Sequence, residues 1–398
     1  MRSLFIAASL AAGVLLASGC TEKRPEPVGP APEIPRPADA ASPAPDTSDI
    51  LIGEVGPLTG PEATFGDSTH KGIELALRLA NEKGGVKGRR LAVRVVDDRG
   101  SAEEAAAAFA KLVDADKVVL VLGEATSTRS IAMAAVAEKL ATPMISPAAT
   151  NPKVTAGNAF VFRVCFTDPF QGYVMAKFAR DNLKLSKVAV LQDPRNDYSV
   201  GLAQSFTARF KAAGGKVVRE ETYAAGATDF KAQIVALKAA EPEAIYLPGY
   251  YGDVGVFAQQ ARALGLKAPL LGGDGWSSGK LFVGGGAAIE GSYFSDHYST
   301  QDPSPRIQEF LAEFRAAYGT EPDSFAALGY DALRVAANAI ARAKSLSGPD
   351  LRDAIASTRE FDGVTGVITV DAKHDATTPA VVLKVEGGKA VYQTTVAP

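Results

Sequence analysis

The sequence predicts an α/β protein built as two Rossmann-like lobes with parallel central sheets, and three observations carry that reading. From Ile50 onward, short and nearly continuous apolar, β-branched runs alternate with stretches of helical period, as expected for strands buried on both faces and joined by right-handed helical crossovers. A length of 398 residues exceeds what one hydrophobic core usually serves. The order strand, loop, helix, Gly-Gly, strand runs from Leu51 to Val96 and again from Val188 to Val218, and two similar halves suit two similar lobes.

The expected strands are Leu51–Val55, Leu91–Val96, Val118–Leu122, Val188–Leu191, Ala244–Leu247 and Leu270-Leu271. Helices between them show apolar stripes at i, i+3, i+4 and i+7: Ile73, Ala76, Leu77 and Ala80 in one, Ala105, Phe109, Leu112 and Val113 in a second, Ile307, Phe310, Leu311 and Phe314 in a third. Gly84-Gly85, Gly214-Gly215, Gly265 and Gly319 each follow such a run and can take the left-handed conformation that ends a helix; Pro242 stops the helix before Ala244.

The chain ahead of Ile50 reads differently. Arg2, an apolar run from Leu4 to Leu16 and the small residues Ala17-Ser18-Gly19 form a signal peptide over 1–19. The run falls short of the about 20 apolar residues that a lasting membrane span needs, so cleavage is expected. Leu16-Ala17-Ser18-Gly19-Cys20 resembles a bacterial lipobox, which implies lipid modification of Cys20. Thr21 to Ser48 hold eight prolines and almost no large apolar side chains, so residues 20–48 read as an anchored, stiff tether rather than part of a core. With Cys20 acylated, Cys165 has no partner and no intramolecular disulfide is expected. A net charge of -3 with no basic cluster excludes tracking of a nucleic-acid backbone.

Parallel sheets place ligands at the carboxyl ends of their strands, and the loops there are rich in hydroxyls, glycines and aromatics. Thr126-Ser127-Thr128 lies between a buried strand and a helix. Ser127 or Thr128 is expected to cap that helix while its free N–H groups offer a seat for a carboxylate or phosphate; a cap with no ligand would use the same residues. Ser146 to Thr150, a second hydroxyl loop with Ala148 and Ala149, follows the next strand and converges on the same place. Asp274 sits in a glycine-lined turn with no lysine or arginine beside it; it can meet a ligand cation or simply form the turn. Phe65, Tyr198 and Tyr250 would supply apolar walls, two of them with a polar tip, or simply pack within the fold as isolated aromatics commonly do.

Machinery for catalysis is not legible. His70, His297 and His374 are far apart and lack metal-ligand spacing, which fits surface or structural roles. No G-x-S-x-G elbow occurs. Asp274 to Leu281 departs from a phosphate loop at both ends, with Asp274 in place of the first glycine and Leu281 in place of the Ser/Thr. No enzyme activity, cofactor or metal is expected.

Taken in order, these segments resemble the branched-chain amino acid (leucine/isoleucine/valine) binding proteins, of the type I periplasmic solute-binding class that serves ABC transporters. The resemblance runs from about Ile50 to the mid-380s. It rests on Gly60 to Leu75, Asn81 to Gly88, Asp97-Asp98, the hydroxyl turn after Gly123, Ser146 to Thr150, Tyr198 with Gly201-Leu202-Ala203, Gly249-Tyr250, and Gln260 to Leu266. It implies a Venus-flytrap clamshell with a three-stranded hinge, lobes of 49–166 plus 295–360 and of 167–294 plus 361–398, and a ligand-binding set of Phe65, Thr126, Ser127, Ala148, Ala149, Thr150, Tyr198, Tyr250 and Asp274. Ser127 with the loop of Ala148 and Thr150 would hold the α-carboxylate and part of the α-ammonium; Asp274 would face the ammonium. It further implies a monomer in the periplasm or cell envelope, lipid-anchored to a membrane, that passes an amino acid to an ABC permease.

Two departures stand out. Many such binders have glutamate where Asp274 stands, and one methylene fewer draws the carboxylate back by about 1.5 Å. Gly100 and Thr126 occupy the places of a disulfide found in some relatives. Because fold does not fix function, an envelope lipoprotein of the same fold acting as a ligand sensor or as a regulator of a partner protein is the alternative.

Overall fold

The computed structural model describes residues 48–398; the expected signal peptide, the lipidation site Cys20 and the linker up to residue 47 lie outside the described residues. Strands β1 (Ile50–Gly56), β2 (Leu91–Asp97), β3 (Val121–Leu122), β4 (Met144–Ser146) and β5 (Val161–Arg163) form a sheet in the order β2-β1-β3-β4-β5. Every neighbouring pair is parallel. Helices α1 (Ala63–Glu82), α2 (Ala102–Asp114) and α3 (Ser127–Leu140) make the crossovers.

The chain then enters a second sheet through α4 (Asp168–Asp181), β6 (Lys187–Gln192), α5 (Asp197–Ala212), β7 (Lys216–Thr222), α6 (Lys231–Ala239), β8 (Ala244–Tyr246), α7 (Tyr251–Ala263), β9 (Leu270–Gly272), α8 (Gly279–Gly285) and β10 (Tyr293–Asp296). These strands are parallel in the order β7-β6-β8-β9-β10, the same permutation as the first sheet. The sequence echo between Leu51–Val96 and Val188–Val218 is therefore the opening of one repeated topology.

Next, α9 (Pro305–Tyr318), α10 (Ser324–Arg342) and α11 (Gly348–Ala356) return to the first lobe, where α10 runs along α1. That contact depends on two glycines: a Cβ at Gly72 would lie 1.9 Å from the Ala326 carbonyl oxygen, and one at Gly329 would lie 2.3 Å from that of Thr69. The small hairpin β11 (Phe361–Gly363) and β12 (Gly366–Ile368) was expected to open the second lobe. It belongs with the first, because buried Asp331 of α10 accepts the N–H groups of Val364 and Thr365 at 2.8 and 2.9 Å. The boundary expected at 360 therefore moves toward β13 (Ala380–Glu386).

β13 and β14 (Lys389–Val396) extend the parallel second sheet with a hairpin, since β13 pairs antiparallel with β10 and β14 antiparallel with β13. The cause is local. Gly387 and Gly388 sit at φ 61° and 70° between Glu386 and Lys389, which pair directly, the two-residue turn whose twist suits a hairpin. The chain passes between lobes three times, after β5, after β10 and before β13. Among the described residues no helix is long and apolar enough to cross a membrane.

Candidate ligand-binding cleft

In a sheet of order 2-1-3-4-5 the loops leaving the first and third strands diverge, and the gap between them is the natural ligand site. Here that rule applies twice. The segments after β1 and β3 bring Phe65 and Thr126-Ser127; those after β6 and β8 bring Tyr198 and Tyr250; the loops after β4 and β9 add Ala148 and Asp274. All seven line one cavity, with Ala125, Gly275 and Phe325.

The lobes are shut over it. Asn151 Nδ2 donates to the Asp197 carbonyl at 2.7 Å, Lys153 pairs with Asp197 at 2.9 Å, Ser324 Oγ donates to Ser277 Oγ at 2.9 Å and Thr64 Oγ1 lies 3.0 Å from Ser278 Oγ. Phe65 stands edge-on to Tyr250 at 5.5 Å and stacks on Phe325 at 4.0 Å. The remaining cavity is about 10 Å³, on the scale of a single water. A ligand of amino-acid size enters only when the lobes part or these rings turn aside. A larger recess, about 900 Å³, lies by the crossings between residues 155–159 and 371–378, and none of the expected site residues lines it.

The end of the cavity lined by Thr126 and Ser127 is built on α3. Its N-cap is Thr126, in extended backbone conformation, with no side-chain cap. This corrects the expected cap by Ser127 or Thr128: Thr126 Oγ1 donates to Glu124 Oε2 at 2.7 Å, Ser127 Oγ accepts the Asn151 N–H at 3.2 Å, and Thr128 Oγ1 accepts the Asp197 N–H at 3.0 Å. The first-turn N–H groups of α3 thus keep the unpaired character and positive end of a helix N-terminus. Beneath them, buried Glu124 pairs with Arg129 Nε at 3.0 Å, and Arg129 Nη1 donates to the Gly100 carbonyl at 3.1 Å and to Glu62 at 3.3 Å. Arg129 so ties the Gly100 loop to α3. Burial and the Glu124 charge push neighbouring Asp98 up to about 7.

Asp274 forms the opposite end. Its Oδ1 accepts from Gln171 Nε2 at 2.8 Å, and its Oδ2 lies 3.2 Å from His297 Nε2. The Gly275 N–H donates to Tyr198 Oη at 3.0 Å, and a side chain at Gly273 would meet that same oxygen at 2.6 Å, which explains the glycines around Asp274. Ala149 and Thr150 are not in the lining. The Ala149 carbonyl accepts from Arg163 Nη1, and the Thr150 carbonyl accepts the Asp168 N–H at 2.9 Å. Both stand one layer behind the wall, beside Asp168, whose carboxyl burial pushes up to about 8.

Phe325, Gln171 and His297 were not legible as site residues. Phe325 lies far along the chain on α10, with nothing local to mark it. His297 directly follows β10; inspection of loops after strands would have reached it had β10 been recognised. His70 and His374 are structural: His70 Nδ1 lies 3.0 Å from buried Glu54, and His374 stacks on Phe162 at 4.2 Å. Burial pushes the Cys165 thiol up to about 12, which leaves it unreactive.

The cavity has a helix N-terminus at one end, a buried carboxylate at the other and aromatic walls between. The pattern of the family described as periplasmic binding protein matches residues 49–390. A Leu/Ile/Val-binding protein homolog of Brucella melitensis is 32% identical over 350 residues, 86% of this chain and 93% of that protein. The leucine-binding protein LivK of Thermotoga maritima superposes with a TM-score of 0.84 at 39% identity, over 88% of this chain and 99% of that one. The branched-chain amino acid transporter substrate-binding protein LivJ of Streptococcus pneumoniae, solved with isoleucine, gives 0.83 at 35%, over 88% and 100%.

Proposed function

Because this chain belongs to the periplasmic binding protein family, we propose that it is an extracytoplasmic solute-binding lipoprotein that captures an amino acid, branched-chain or similarly aliphatic, and delivers it to an ABC importer. The observation that carries the reading is the single cavity in which the α3 N-terminus faces Asp274 across Phe65, Tyr198 and Tyr250. Ser127 and the first-turn N–H groups of α3, with the loop of Ala148 behind them, hold the α-carboxylate. Asp274 takes the α-ammonium, and the rings of Phe65, Tyr250 and Phe325 enclose the side chain.

The lobes, joined at three crossings, bend about the hinge so that contacts from both sides form only on closure. Closure brings the charges of the zwitterion into a medium where their pairing is stronger than in water. The lipid anchor at Cys20, the tether to residue 48 and a monomeric body keep the cleft within reach of a permease. Chemistry on the ligand is not part of this reading.

Thermal unfolding of residues 49–398 against a panel of amino acids and small amides tests it. A ligand at about 100 times its dissociation constant adds ~2.7 kcal/mol of stability, so a rise in Tm confined to leucine-like amino acids is expected. No shift with any amino acid, after removal of co-purified ligand, would refute the reading.

A further inference from the structure

Arg163, the last residue of β5, is fully buried, and a cation that far from water needs a counter-charge and acceptors for its donors. It finds them on two segments remote from each other in sequence. In the loop after β4, the Ala149 carbonyl accepts from Nη1, and the Asn151 carbonyl accepts from Nη2 at 2.9 Å. Thr155 Oγ1, a little further on, also accepts from Nη2 at 2.9 Å. From the third crossing comes Asp375, whose Oδ1 lies 2.7 Å from Nε and accepts from Thr155 Oγ1 at 2.8 Å. Among the described residues Asp375 is the one ion-pair partner of Arg163.

Asp375 is itself held in place. The Asp371 N–H donates to the Asp375 carbonyl and the Asp375 N–H to the Asp371 carboxylate, both at 2.9 Å. Beside it the His374 carbonyl accepts the Arg163 N–H at 3.2 Å. One side chain at the root of the first crossing therefore clamps the third crossing against the back of the ligand wall. The clamped loop works at its front: Ala148 lines the cavity, and the Asn151 N–H meets Ser127 Oγ beside the α3 N-terminus.

We propose that Arg163 is a positioning residue for ligand capture: anchored by Asp375, it draws the carbonyls on either side of Thr150 backwards and so sets the 148–151 loop for the ligand's carboxylate. The inference rests on the amino-acid reading of the cleft and adds to it a residue one layer behind the carboxylate end. Arginine suits the task where lysine would not. Its rigid fork addresses two carbonyls, a hydroxyl and a carboxylate at once, whereas an ammonium is a single point charge on a flexible stem.

Asp375→Asn keeps the size of the anchor and an acceptor for Thr155 but leaves the guanidinium as an uncompensated buried charge. Relief comes from movement or hydration of Arg163, and the loop it holds moves with it. Calorimetry on the mature protein should show L-leucine bound about 3- to 30-fold more weakly by this variant, the usual span for a residue that acts without touching ligand. Binding of 3-methylbutylamine, which has no carboxylate for the loop to meet, should be unchanged. In the unliganded protein, amide hydrogen exchange should quicken at residues 148–151 and not in the Asp274 turn. An ion pair that served stability alone would weaken both ligands equally and quicken exchange at both places.

Should Asp375→Asn fail to fold, Thr155→Val removes the hydroxyl shared by Arg163 and Asp375 and is read in the same way, with Thr155→Ser expected to restore leucine binding. Unchanged leucine affinity, equal weakening of the amine, or unchanged exchange at 148–151 overturns the inference and leaves the amino-acid reading standing. Failure of the wild-type protein to bind any amino acid overturns that reading, and the exchange comparison then decides by itself whether Arg163 positions the loop.

Discussion

Asp274→Asn should weaken amino-acid binding by about 30-fold to several thousand-fold, the ~2–5 kcal/mol typical of removing one partner from a desolvated charge pair. Asparagine preserves the size of the group and its Oδ1 acceptor for Gln171, while taking away the negative charge that an ammonium requires. Alanine would be a poorer probe. It would also strand the Gln171 and His297 donors that now meet Asp274 at 2.8 and 3.2 Å, at a cost of ~1–3 kcal/mol to the fold itself. Calorimetry on the asparagine variant, with its Tm measured in parallel, separates lost binding from lost stability. Undiminished binding would remove Asp274 from the site.

Asp168→Asn should change how stability depends on pH. Burial raises the folded-state carboxyl from 3.8 to about 8, so between those values the folded protein holds a proton that the unfolded chain has released. The stability tied to that proton is fully present below pH 3.8 and is lost as pH rises through about 8, at ~1.4 kcal/mol per pH unit. Asparagine cannot ionise and is spared this loss. Between about pH 5 and 8 the variant should gain on the wild type by ~4 kcal/mol from this group alone, read as the change in urea midpoint. Parallel pH curves for the two proteins would show that Asp168 does not carry a shifted proton.

Much of this was legible beforehand because it is written in local periodicity. Runs such as Val188–Leu191 and stripes such as Ile307, Phe310, Leu311 and Phe314 declare buried strands and amphipathic helices without reference to the rest of the chain, and the doubled topology followed from their order. Phe65, Ser127, Ala148, Tyr198, Tyr250 and Asp274 could be placed in one cleft because strand-end loops in a parallel sheet must converge. What escaped was set by contacts remote in sequence. The cap expected from Ser127 or Thr128 did not form because their hydroxyls accept the N–H groups of Asn151 and Asp197, while Thr126, the actual N-cap, donates its hydroxyl to buried Glu124. The hairpin after residue 360 joined the first lobe because Asp331 supplies acceptors to its turn. Gln171 and His297 reach Asp274 from other elements of the chain. The C-terminal hairpin is the exception: its Gly387-Gly388 turn stands in the sequence, and it could have been read there.

The central claim is that one cleft recognises both ends of an amino acid, and the most direct measurement is a calorimetric comparison of L-leucine with two one-ended analogues, 4-methylpentanoate and 3-methylbutylamine. Leucine should bind, and each analogue should lose about 100-fold or more, since each leaves either Asp274 or the α3 N-terminus without its charge. Binding of 4-methylpentanoate as tight as that of leucine would contradict the claim, for it would leave Asp274 with no part in recognition.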